Sequence, residues 1–94
     1  MFIREAVILE ATAEKLWRKH HVEETEVDQV FKNGPLYRKL ENGDIAGEDL
    51  YGAFGKTDAG RYLSVFFIYK ITQDALVISA RDMNKSERKK YGKA

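Results

Sequence analysis

The side chains with the most chemical reach in this chain are cations at the ends of short apolar runs. Lys56 follows Leu50–Phe54, Arg61 opens the next run and Arg81 closes Ala75–Ala80. Guanidinium groups bind phosphate through paired N–H donors. They also stabilise the extra negative charge of a pentacoordinate phosphorus, the species formed when a ribose 2′-hydroxyl attacks the neighbouring phosphodiester. Cations gathered at one point with a proton acceptor would suffice for that reaction without a metal. The alternatives are structural: Arg61 pairing with a surface acid, and Arg81 bridging to Asp82 or Glu87 to organise the segment that follows. Proton-transfer candidates are His20, at a position where a core histidine is the commoner outcome, and Tyr91, which could be a hydroxyl acid, a stacking platform for a base or a clamp.

Other chemistries lack their residues. The chain has no cysteine, which removes disulfides, thiolate metal sites and thiol nucleophiles. The adjacent His20 and His21 cannot build a metal site alone, and Gly43, Gly47, Gly52, Gly55 and Gly60 fit no phosphate-cradling loop. Ser64, Ser79 and Ser86 have no nucleophile-elbow context. No cofactor and no metal are expected.

The elements that must position these residues follow from periodicity. Leu9, Ala13, Leu16, Trp17 and His20 lie on one stripe of an amphipathic helix, with Trp17 expected in the core. His21 suits the end of that helix, because histidine tolerates left-handed backbone better than most residues. Glu23–Glu26 supply acids for the first turn of a second helix, Val27, Val30 and Phe31 continue the apolar stripe, and Asn33-Gly34-Pro35 ends it. From Leu36 onward β-branched and aromatic residues take over, giving strands at Leu36–Leu40, Leu50–Phe54, Arg61–Tyr69 and Ala75–Ala80, with Phe2–Ile8 as a further edge. Val65-Phe66-Phe67-Ile68 is apolar on both faces and reads as the central strand. The separators are short and rich in turn residues, so the sheet is expected to be an antiparallel meander. In a meander Lys56, Arg61 and Arg81 return to the same sheet end, where they could face one phosphate.

Asn84 and Glu87 have the spacing of a capping box opening a last helix. Lys85, Arg88, Lys89, Lys90 and Lys93 make that helix basic, an arrangement that the helix dipole alone explains in part. The fold class is therefore α+β: an N-terminal helical hairpin packed on an antiparallel four- to five-stranded meander with a basic C-terminal helix, in one domain spanning 1–94. The formal net charge of +1 conceals an asymmetry. Residues 1–49 hold 7 Lys/Arg against 11 Asp/Glu, and residues 50–94 hold 9 against 4, so the second half can offer a basic face to a polyanion. No apolar run approaches the ~20 residues that span a bilayer, and the acidic N-terminal stretch does not suit a secretory signal, so a cytoplasmic protein without membrane attachment is expected.

The ordered set Lys19-His20, Val22, Glu26-Val27, Val30-Phe31, Gly47-Glu48, Gly55-Lys56-Thr57, Gly60-Arg61, Ile78-Ser79-Ala80-Arg81 and Glu87-Arg88-Tyr91 resembles the BrnT family of bacterial type II toxins. The resemblance covers about Lys15 to Tyr91. It implies a RelE-like fold, ribonuclease activity that arrests translation, and neutralisation by a BrnA-like antitoxin with a ribbon-helix-helix domain, through which DNA is engaged only indirectly. Carried over by position, it points to Arg61 and Arg81 for cleavage, with Lys19, His20 and Glu48 as further matched positions. Lys19, Lys56, Lys85, Arg88 and Lys89 are the candidates for holding RNA. Where the family usually has Gly after Lys-His, this chain has His21, and the Arg common after the Gly-Glu pair is replaced in Asp49-Leu50-Tyr51. The reading is a metal-independent endoribonuclease; the alternative is a non-catalytic toxin-like module that pairs with a DNA-binding antitoxin.

Overall fold

Alternating apolar residues between Leu36 and Asp82 build the sheet that carries Lys56, Arg61 and Arg81 at its strand ends and supports the helices bearing the other candidates. The computed structural model describes residues 1–92, so Lys93 of the basic run lies outside the described residues. The elements are β1 (Ala6–Val7), α1 (Glu10–His20), α2 (Glu24–Lys32), β2 (Leu36–Glu41), β3 (Asp49–Lys56), β4 (Tyr62–Tyr69), β5 (Ala75–Asp82) and α3 (Lys85–Tyr91). The strand order is β1-β5-β4-β3-β2. β2 to β5 form the expected antiparallel meander, with β4 at the centre. β1 departs from it: only Ala6–Val7 of the expected Phe2–Ile8 edge is strand, and it runs parallel to β5. No helix among the described residues is long and apolar enough to cross a membrane.

The helical hairpin covers one sheet face. Leu63, Val65 and Phe67 of β4, Ala53 of β3 and Val77 and Ala80 of β5 bury themselves there against Leu16, Val22, Val27 and Val30. Each large side chain so buried contributes about 1.5–3 kcal/mol. Phe67 anchors the layer, with Phe31 and Tyr37 edge-on to it and Tyr51 stacked beside it. α1 turns into α2 through His21, whose φ of 53° and ψ of 40° are left-handed. That conformation suits glycine best and histidine better than most other residues, in line with the expectation that His21 ends the helix.

Trp17 corrects an expectation. It is 52% exposed, its ring 5.1 Å from that of His21, and Leu9 is exposed as well. The buried side of α1 is centred on Leu16, with Thr12, Ala13 and His20 half-buried, so the stripe is narrower than the spacing implied.

The opposite sheet face carries α3. Asn84 caps it by accepting from the Glu87 N–H at 2.8 Å, while the Glu87 carboxylate accepts from the Asn84 N–H at 2.9 Å, completing the expected box. Tyr91 lies flat on Phe54, ring centroids 4.1 Å apart and planes within 12°, and Phe54 meets Phe66 edge-on. That stack fastens the short helix to β3 and β4.

Candidate functional site

Arg61 and Arg81 reach the same sheet end, because Arg81 pairs in register with Ser64 and its neighbour Asp82 with Leu63, close to where Arg61 enters β4. Strand alternation then separates them. Leu63 and Asp82 face the helical hairpin, and Arg61 joins them there; Ser64 and Arg81 face α3. The expected meeting of the two guanidinium groups on one phosphate is therefore corrected: a shared sheet end does not mean a shared face.

Arg61 spends all its donors inside the protein. Nε donates to Asp82 Oδ1 at 2.7 Å, Nη1 to the His21 carbonyl at 2.9 Å and Glu26 Oε1 at 3.1 Å, and Nη2 to the His20 carbonyl at 3.1 Å and Asp82 Oδ2 at 3.2 Å. A guanidinium has five N–H groups, and all are taken. The two carbonyls belong to the C-terminal end of α1, where backbone acceptors lack helical partners. Arg61 thus ties α1, α2 and the end of β5 together. The tight Thr57–Gly60 turn aims it, with Gly60 at φ 89° and the Thr57 hydroxyl accepting the Arg61 N–H at 3.0 Å. The hydrogen bond from Arg61 holds the Asp82 carboxyl below its ordinary range, against some burial; Asp82 in turn leads in raising Arg61. His20 stands near Asp82 on this face, so it is not grouped with Tyr91.

Arg81 lies on the other side, its guanidinium 5.1 Å from the centre of the Phe66 ring. Glu87 holds it by both oxygens, Nη1–Oε1 at 2.6 Å and Nη2–Oε2 at 3.0 Å, and Nη1 also donates to the Asp82 carbonyl at 3.1 Å. Fully buried Ser64 donates to the same carboxylate at 3.0 Å. The hydrogen bonds from Arg81 lead in drawing the Glu87 carboxyl below its usual range. Among the described residues, the Arg81 Nε–H and one Nη2–H have no partner.

Arg88 differs again. Its guanidinium lies 3.8 Å from the centre of the Tyr62 ring, with no carboxylate or carbonyl partner among the described residues. Lys56 Nζ approaches the same ring at 5.7 Å, as the Lys56–Tyr62 register pairing requires. Lys85 and Lys89 are exposed on α3. The α3 side of the sheet therefore gathers Lys56, Arg81 and Arg88 with Tyr62, Phe66 and Tyr91, while Lys85 and Lys89 add charge on the exposed surface of α3 itself. Lys19 sits on α1, away from this group. Glu48 pairs with Lys70 at 2.7 Å at the far end of the sheet. Among the described residues no group of three or more His, Cys, Asp or Glu could hold a metal ion.

Tyr62 and Phe66 were not among the sequence candidates. Part of the signal was available, since Tyr62, Ser64 and Phe66 occupy alternate positions of β4 and so share a face; that Arg81 joins them depends on the register shift at Ile78 of β5.

A family model described as the ribonuclease toxin BrnT of type II toxin–antitoxin systems matches residues 10–87. Among solved structures the chain is similar to the ribonuclease toxin BrnT of Brucella abortus, with 14% identity, a TM-score of 0.60, and coverage of 86% of this chain and 97% of that one. At that identity the likeness is one of fold. No curated protein matches the chain.

Proposed function

This chain belongs to the BrnT family of ribonuclease toxins of type II toxin–antitoxin systems, and on that premise we propose that its α3 face binds single-stranded RNA and cleaves it without a metal, so as to inhibit translation. The observation that carries the reading is Arg81, seated over Phe66 with two unengaged N–H groups beside Arg88 and Lys56 of the same face. A phosphodiester can take those N–H groups while Glu87 keeps the rest of the fork in place. The ribose 2′-oxygen forms a bond to phosphorus, the bond to the 5′-oxygen breaks, and the products are a 2′,3′-cyclic phosphate and a 5′-hydroxyl. The proton of the 2′-hydroxyl passes to a solvent water, and the 5′-oxygen takes one in return, for which Tyr91 is the candidate donor on this face. Arg61 acts from the opposite face as a brace for the helical hairpin. The protein partner is a BrnA-like antitoxin with a ribbon-helix-helix domain that brings the pair to DNA, and the setting is the cytoplasm.

The test is cleavage of a single-stranded RNA in EDTA by the wild type, Arg81→Ala and Tyr91→Phe, with DNA of the same sequence as control. Expected are cyclic-phosphate ends, intact DNA, and a loss of about 100-fold for Arg81→Ala, the scale for removing one transition-state donor. Equal inertness of all three folded proteins, with antitoxin affinity retained, would establish the non-catalytic binding module instead.

A further inference from the structure

Arg88 is an exposed arginine whose guanidinium lies over an aromatic ring. An exposed arginine ordinarily samples many rotamers, and ordering it costs binding free energy. Here the Tyr62 face holds the guanidinium at 3.8 Å from the ring centre, and no acid competes for its donors among the described residues. Tyr62 is itself set in the central strand, opposite Lys56 and two positions from buried Ser64. The outcome is a planar, pre-ordered fork of N–H groups backed by an aromatic ring. Arg81 on Phe66 lies further along the same strand face, and exposed Lys56, Lys85 and Lys89 provide charge that any phosphate can use.

A planar fork matches an acceptor pair lying in its own plane, and among RNA bases the O6/N7 edge of guanine provides that pair. Unpaired bases are also those that proteins stack on aromatic rings and guanidinium planes. We infer that Arg88, backed by Tyr62, forms a subsite that reads a guanine base in the RNA strand running past Arg81. The inference rests on the proposal that this face binds RNA and adds to it a base preference at one position. Lys56 serves the neighbouring phosphate as a point charge, because a single ammonium lacks the fork.

The subsite can be tested by binding, so that the result does not depend on cleavage. The probes are short RNAs with 2′-O-methyl riboses, carrying at one position guanine, 7-deazaguanine, which lacks the N7 acceptor, or adenine. Wild-type protein is expected to bind the guanine probe about tenfold more tightly than the other two, within the range of one bidentate contact. Arg88→Lys, which keeps the charge and loses the fork, should bind all three equally; Tyr62→Phe, which keeps the ring, should retain the preference. Equal wild-type affinities for the three probes would overturn the subsite. So would a guanine preference that survives in Arg88→Lys. Absence of RNA cleavage in the EDTA assay alongside a guanine preference here would remove the nuclease proposal and leave the subsite standing.

Discussion

The two faces of the sheet treat their arginines in opposite ways, and the difference separates an arginine saturated by the fold from arginines with donors to spare. On the hairpin face, Arg61 meets two carboxylates and two helix-end carbonyls, leaving no N–H for a ligand. On the α3 face, Arg81 is held by one carboxylate and one carbonyl and keeps part of its fork, while among the described residues Arg88 is held by an aromatic ring alone. Position at a sheet end is shared by Arg61 and Arg81. What distinguishes them is how many donors the fold itself consumes.

The largest test of that contrast is stability. Arg61→Ala strands Glu26 and the carbonyls of His20 and His21 at a site only 27% exposed at the arginine side chain, and frees the more exposed Asp82. Unpaired charges and acceptors of this kind cost about 3–5 kcal/mol when fully buried. Partial exposure brings the expected loss to about 2–3 kcal/mol, or roughly 10–20 °C in Tm for a domain of this size. Arg88→Ala removes a surface contact and should stay within about 0.5–1 kcal/mol. Thermal unfolding of the two variants side by side decides the matter: equal shifts would mean that Arg61 is no brace.

Arg81→Ala falls between them, with an expected loss of about 1–2 kcal/mol, because it loosens Glu87, which also caps the start of α3 through the Asn84 N–H, while the hairpin face keeps its contacts. Its RNA cleavage should nonetheless fall further than that of any Arg61 variant that remains folded, for instance Arg61→Lys. The reverse ranking would exchange the roles assigned to the two faces.

Much of this arrangement was legible in the sequence, and the failures have identifiable causes. The meander, the central strand and the Asn84–Glu87 cap all follow from local pattern, since alternation and capping act within a few residues. The parallel placement of β1 beside β5 does not, because Ala6-Val7 is too short for any pattern and its partner lies about 70 residues away in the chain. Trp17 misled because a helical stripe fixes direction only to within a wide arc, and Leu16 took the buried centre. The meeting of Arg61 and Arg81 failed on parity: counting strand crossings gives the end of the sheet, while the face depends on the register of single residues. The β5 register carries an irregularity at Ile78 that turns Arg81 to the face opposite Val77, and simple alternation along β5 would have put it on the Val77 face.

The smallest effect concerns acid. Glu87 and Asp82 both have carboxyls drawn below their ordinary range, each chiefly by hydrogen bonds from its arginine. A carboxylate of this kind contributes stability above its unfolded pKa, about 4, and loses it as pH falls through the lower folded value. Tm should therefore hold steady above about pH 5 and decline below about pH 4. The two sites should not contribute equally. The Glu87 side chain is 16% exposed and fastened by four donors, whereas that of Asp82 is 64% exposed and its attraction to Arg61 is screened by solvent. Glu87→Gln is expected to flatten the acid decline more than Asp82→Asn, even though Arg61 is the more heavily bonded arginine. Acid titrations of Tm for the two variants test this, and a larger flattening in Asp82→Asn would place the pH-sensitive contact on the hairpin face.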